Sequence, residues 1–227
     1  MKNRLLQASL LGLSLALSAA PLTAWAAGNG AQARAATRAD HSAAHKVCLS
    51  PAAVKLQEDM RKLWTEHVTW TRNYIVSAVA GTADQQVILA RLLQNQQDIG
   101  NAIKPYYGEA AGNKLAELLR EHILLAGKIV EALKAGNTAE AEKQNKLWYR
   151  NADEMAKFLS KANPNWTEKE LKDLLYVHLQ LVAEAAATRL KQDWAGDVAA
   201  FDKGINHIIM LADALSSGIV KQFPQRF

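Results

Sequence analysis

From residue 51 onward the apolar positions recur every three or four residues, and no segment alternates with the strand period of two. The pattern predicts an all-α protein: an antiparallel bundle of about six helices arranged as three repeated helical hairpins. The expected helices cover about 51–80, 83–104, 109–135, 138–161, 167–191 and 194–222. Helix-start signals mark most of them. Ser50 precedes Pro51, Thr82 and Gln85 have capping-box spacing, and so do Asn137 with Glu140 and Thr167 with Glu170. Asp193 caps the last helix. Gly81 and Gly136 break the chain within hairpins, and Pro105 and Pro164 between them.

Three of the apolar stripes are each interrupted by one histidine. His67 follows Leu56, Met60 and Leu63; His122 follows Leu115 and Leu118; His178 follows Leu171 and Leu174. Sliding the chain by 56 residues places His122 on His178, Asn95 on Asn151 and Asn151 on His207. His67, His122 and His178 each lie 14 residues before Gly81, Gly136 and Gln192, and Asn95, Asn151 and His207 lie 14 or 15 after them. At about 1.5 Å of rise per residue, all six stand roughly 21 Å from their turns. Antiparallel hairpins then bring them to one level, as a polar layer across the bundle.

Two readings fit such a layer. In the first it binds a transition metal (Cu, Zn or Fe), or a ligand held by that metal. His67, His122, His178 and His207 are the ligands, with Asn95, Asn151, Glu66 and Glu121 behind them as orienting groups. In the second the layer is metal-free and hydrogen-bonded, in a non-catalytic interaction or small-ligand module. Imidazoles and amides buried without partners cost about 1–3 kcal/mol each, so either reading must supply partners. Asp98, Glu154 and Asp213 fall within one or two turns of the layer, and Met60, Met155 and Met210 lie in or near the expected core. Arg189 falls near the inner stripe of its helix. A third reading uses His67 or His178 as a general base. No phosphate loop, G-x-S-x-G, His-Glu-x-x-His or di-iron Glu-x-x-His pair accompanies these residues, so the catalytic residues are unknown and a binding protein is expected rather than an enzyme.

The beginning of the chain changes the picture of where this happens. Lys2 and Arg4, the apolar run Leu5–Ala20 and Ala24-Trp25-Ala26 have the form of a secretory signal peptide over 1–27, which predicts a periplasmic or secreted protein. Residues 28–49, rich in Ala, Gly and Arg, read as a flexible arm, and 50–227 as the helical-bundle domain. Of the formal charge of +5, the signal and the arm each carry +2, which leaves about +1 on the bundle. Such a balance points away from nucleic acid, and charges interrupt every helix, so no membrane span is expected. His41, His45 and Cys48 in the arm have the spacing of a second, looser metal-capturing set. Cys48 is the single cysteine, which excludes an internal disulfide. The oligomeric state is not encoded in any of these patterns.

The stretches Leu63-Trp64-Thr65-Glu66-His67-Val68-Thr69-Trp70-Thr71-Arg72 and Asn151-Ala152-Asp153-Glu154, with Phe158-Leu159-Ser160 and Asn163-Pro164-Asn165-Trp166, resemble an uncharacterised family of exported bacterial all-helical proteins. That resemblance implies export and a helical fold, and no particular activity.

Overall fold

The computed structural model describes residues 49–227. They form α1 (Pro51–Ala80), α2 (Gln85–Lys134), α3 (Thr138–Ala162), α4 (Glu168–Leu190), α5 (Trp194–Gln222) and a closing 3-10 turn, Pro224–Arg226. The signal segment, the arm and the set His41, His45 and Cys48 lie outside the described residues. The described residues are all-α, without strands, and no helix among them is long and apolar enough to cross a membrane.

The expected six helices in three hairpins are corrected to five. The segments around 83–104 and 109–135 follow each other without a loop as two limbs of one element, α2, kinked at Gly108 and with Pro105 inside it. Gly108 is its only residue outside helical dihedrals, at φ 82° and ψ 170°. Proline removes one amide donor, and the glycine supplies the positive φ. The helix therefore turns sharply at this point without giving way to a loop. Gly100 on one limb meets Gly112 on the other so closely that a Cβ on Gly100 would stand 2.6 Å from the Gly112 carbonyl oxygen.

Helix starts follow the local chemistry. Ser50 Oγ accepts from the Ala53 amide at 3.1 Å, Asn137 Oδ1 from Glu140 at 3.1 Å, Thr167 Oγ1 from Glu170 at 3.1 Å and Asp193 Oδ1 from Gly196 at 2.9 Å. The capping box expected at Thr82 does not form. Asp84 is the N-cap of α2, and its carboxylate accepts hydroxyls from Ser77 and Thr82. Gln85 instead donates to Glu131 at 2.8 Å. The Thr82 hydroxyl turns to donate to the Asp84 carboxylate, and the Gln85 amide reaches the Thr82 carbonyl at 3.4 Å instead of its hydroxyl.

Gly81 and Gly136 take left-handed backbone angles after α1 and α2, and Gln192 takes the same angle after α4, at φ 61°. A left-handed residue other than glycine is disfavoured by roughly 1–2 kcal/mol, part of which a glycine returns through the looser unfolded chain. Gln192→Gly is expected to stabilise the protein by about 0.5–1 kcal/mol. Urea unfolding reads this directly, and a loss of stability would mean that the Gln192 side chain holds the turn.

The helices close into a ring. α1 packs against α2 and α5, α3 lies between α2 and α4, α4 packs on α5, and α1 meets α4 across the interior. Met60, Leu119, Met155, Leu171 and Leu211 are fully buried on the side of the histidine level away from the hairpin turns, and Leu179 is fully buried at that level. Met210, expected in or near the core, is 55% exposed, because Ile208, Leu211, Leu215 and Ile219 occupy the inner stripe of α5.

Candidate metal centre

Three of the four candidate histidines converge. His67 from α1, His122 from the second limb of α2 and His178 from α4 are buried, and one ring nitrogen of each lies within 4.8 Å of the other two. Their ring centroids are 6.4 Å apart for His67–His122 and 5.7 Å for each of the other pairs. Trp64 meets His67 edge-on at 5.8 Å and Trp148 packs on His122 at 5.2 Å, which fixes both rings from outside.

The other three members of the layer do a common job. Asn95 Nδ2 donates to the Leu63 carbonyl at 2.9 Å, and Asn151 Nδ2 donates to that of Leu118 at 3.1 Å. His207 Nε2 bonds the Leu174 carbonyl at 2.7 Å. In each case the carbonyl belongs to the residue four before the histidine of the trio, one helical turn away. His207 thus occupies the place that asparagine holds in the other two units. It is buried beside the trio but is not one of the three that converge. A carbonyl only accepts, so His207 Nε2 carries a proton.

Glu121 joins this arrangement, accepting from Asn151 Nδ2 at 3.2 Å. Glu66 does not: it pairs with Arg91 at 3.1 Å. Asp213 is held by Arg61 at 2.6 Å, Asp98 accepts from Gln94 at 2.9 Å and Glu154 pairs with Arg150 at 3.5 Å. None of the three belongs to the trio. Arg189 bonds the buried Asp197 at 3.3 Å and lies over the Trp194 ring.

The hydrogen bonds assign the ring protons. Asn151 spends its amide nitrogen on two acceptors, Leu118 and Glu121, so its Oδ1 faces His122 Nδ1, at 3.2 Å. Oδ1 accepts only, so Nδ1 holds the proton and Nε2 keeps a lone pair. Asn95 is oriented the same way by Leu63, and it raises the His67 pKa as a hydrogen-bonding neighbour. Its Oδ1 and His67 Nδ1 are both buried and both without a partner at full hydrogen-bond length.

Burial dominates the titration of the trio. It pushes the His67 pKa down to about 4 against the smaller opposing effect of Asn95. His122 falls to about 3, through burial first and then the neighbouring His67, with Asn151 opposing. His178 is lowered well below its ordinary value by burial and then by His67, His122 and His207. All three rings are neutral at pH 7.

A cavity of about 20 Å³ adjoins the trio, lined by the three histidines, Trp148 and a largely aliphatic wall. Sequence reasoning did not foresee the roles of Trp64 and Trp148, because core tryptophans carry no signal for the ring they pack on. An all-α bundle holding a buried tri-histidine cluster is the class of protein that fold and site define. No protein-family model, curated protein or solved structure matches the chain.

Proposed function

We propose that this is an exported bundle protein that binds one transition-metal ion through His67, His122 and His178, with Nε2 of His122 among the ligand atoms. Asn95, Asn151 and His207 act as braces, and the Glu121 carboxylate stands behind Asn151. One observation carries the reading. Neutral imidazoles converge in the core, and the Asn151 bond turns the lone pair of His122 away from its only polar partner. Each neutral ring keeps one N–H, but His122 spends its own on Asn151 and no hydrogen bond joins one ring of the trio to another. A Lewis acid satisfies converging lone pairs without one.

The spacing suits this after a small contraction. Nitrogens within 4.8 Å of one another stand at most about 2.8 Å from their common centre, and imidazole–metal bonds are about 2.0–2.1 Å. Each ring needs to move inward by about 0.7 Å at most. Imidazole donors suit Cu, Zn and Fe alike. The role that follows is to hold or carry the ion, or a ligand held by it, outside the cytoplasm.

Metal analysis of the mature protein, purified from the exported fraction and dialysed against each candidate ion, tests the proposal. The expected result is close to one ion per chain. A folded His67→Ala/His178→Ala protein is expected to retain none. No uptake by the wild type would reject the metal and leave the hydrogen-bonded layer as the better account.

The braces make a second expectation. Asn151→Ala frees the His122 ring to rotate or change tautomer, so metal affinity is expected to fall by about 10–100-fold with the stoichiometry kept. Competition against a chromophoric chelator measures this. Unchanged affinity would remove Asn151 from the site.

A further inference from the structure

The two sides of the trio differ. On the side away from the hairpin turns, Met60, Leu119, Met155 and Leu171 are buried in the core. On the turn side lies the cavity of about 20 Å³, which His67, His122 and His178 all line. Ile75, Ala126, Val130 and Val182 form much of its wall. A second space of about 20 Å³ reaches His178 from the direction of Phe201 and Gly204.

The cavity has room for about one water-sized molecule, yet a buried water needs two to four polar partners. The Thr71 hydroxyl is already spent on the His67 carbonyl, at 2.7 Å. Trp148, 2% exposed, lines the cavity, and its indole N–H is buried without any partner. The wall is largely apolar, it includes Trp148 with its unspent N–H, and no charged side chain lines it.

We propose that this cavity is the binding site for an uncharged diatomic molecule, bound end-on in a fourth coordination position of the metal, with the Trp148 N–H directed at its outer atom. The inference rests on the metal reading above. Three protein ligands leave a position open, whereas a closed structural site uses four. Buried side chains stand on the core side and free space on the turn side, so that position is assigned to the cavity. The aliphatic wall gives an anion no partner beyond the metal itself, and it gives the protons of a bound water too few acceptors, so a neutral aprotic ligand fits it best. The cavity is also close to solvent. Tyr74 and Ile123 line both it and an outer groove of about 520 Å³, so one layer of side chains separates the two.

Carbon monoxide is the probe. The full mature chain is loaded anaerobically with Cu(I), its copper content is measured, and carbon monoxide is added while the C–O stretch is recorded. The wild type is expected to bind one carbon monoxide per copper and to give a single narrow band. Trp148→Phe is expected to move that band to higher wavenumber, because a hydrogen bond to the outer atom weakens the C–O bond. Ala126→Leu, which fills the cavity from a residue that does not touch the metal, is expected to keep the copper and to lose most of the carbon monoxide. Copper bound at full stoichiometry with no carbon monoxide uptake overturns this inference and leaves the metal site standing. So does a band that Trp148→Phe does not move together with unaltered uptake by a folded Ala126→Leu protein. Failure of the wild type to take up copper, or any other metal, overturns both.

Discussion

Acidified without metal, the protein is expected to unfold cooperatively between about pH 6 and pH 4, taking up about three protons as it does so. The cause is the neutral state of the trio. His67 titrates at about 4 and His122 at about 3 in the folded protein, and His178 well below its ordinary value, against about 6.5 for an unfolded chain. These pKa values are lowered by folding, so the unfolded state binds more protons as pH falls below 6.5, and stability declines over that interval. At 1.36 kcal/mol per pH unit, His67 and His122 each remove about 3 kcal/mol by pH 4, and His178 adds to the loss with the same sign. A domain has about 5–15 kcal/mol in all, so this is enough to unfold it. Asp213, whose carboxyl is held below the usual range by Arg61, loses its contribution only below its unfolded value near 3.8. Circular dichroism with a parallel proton-uptake titration measures both quantities. Uptake of about three protons near pH 6.5 by a protein that stays folded would mean that the trio is not buried in the neutral form.

Saturating metal is expected to reverse that weakness. An ion that binds only the folded state at about a thousand times its Kd adds about 4 kcal/mol. For a domain of this size that raises Tm by roughly 10 °C. The acid midpoint moves down as well, because protons must now displace the ion from the rings. A chelator should return both values to those of the metal-free protein. The His67→Ala/His178→Ala protein, if folded, should show neither change. A rise in Tm shared equally by wild type and double variant would place the metal elsewhere.

Much of this arrangement is legible in the sequence, for definite reasons. Ser50, Asn137, Thr167 and Asp193 announce helix starts because their side chains satisfy amides that the helix leaves free. Rise per residue and short turns then place His67, His122 and His178 at one level. What local rules mishandle depends on neighbours far along the chain. Pro105 argues for a helix end, yet it lies within the helical turns and the break falls three residues later, at Gly108, where the two limbs of α2 fold back on each other. Glu66 and Glu121 stand in equivalent positions before their histidines, and only Glu121 reaches an amide of the layer, since Arg91 takes Glu66. His207 reads as a ligand by residue type. The 56-residue repeat aligns it instead with Asn95 and Asn151, and its bond to the Leu174 carbonyl gives it the same bracing position. Residue type and repeat position pointed in different directions there, and the hydrogen bond follows the repeat.

X-ray absorption at the metal edge of the loaded mature protein shows most directly which atoms hold the ion. Coordination by three imidazole nitrogens at about 2.0–2.1 Å is predicted, lost in the His67→Ala/His178→Ala protein. A shell containing sulfur, which only Cys48 or a methionine can supply, or a spectrum identical in wild type and double variant, would contradict it.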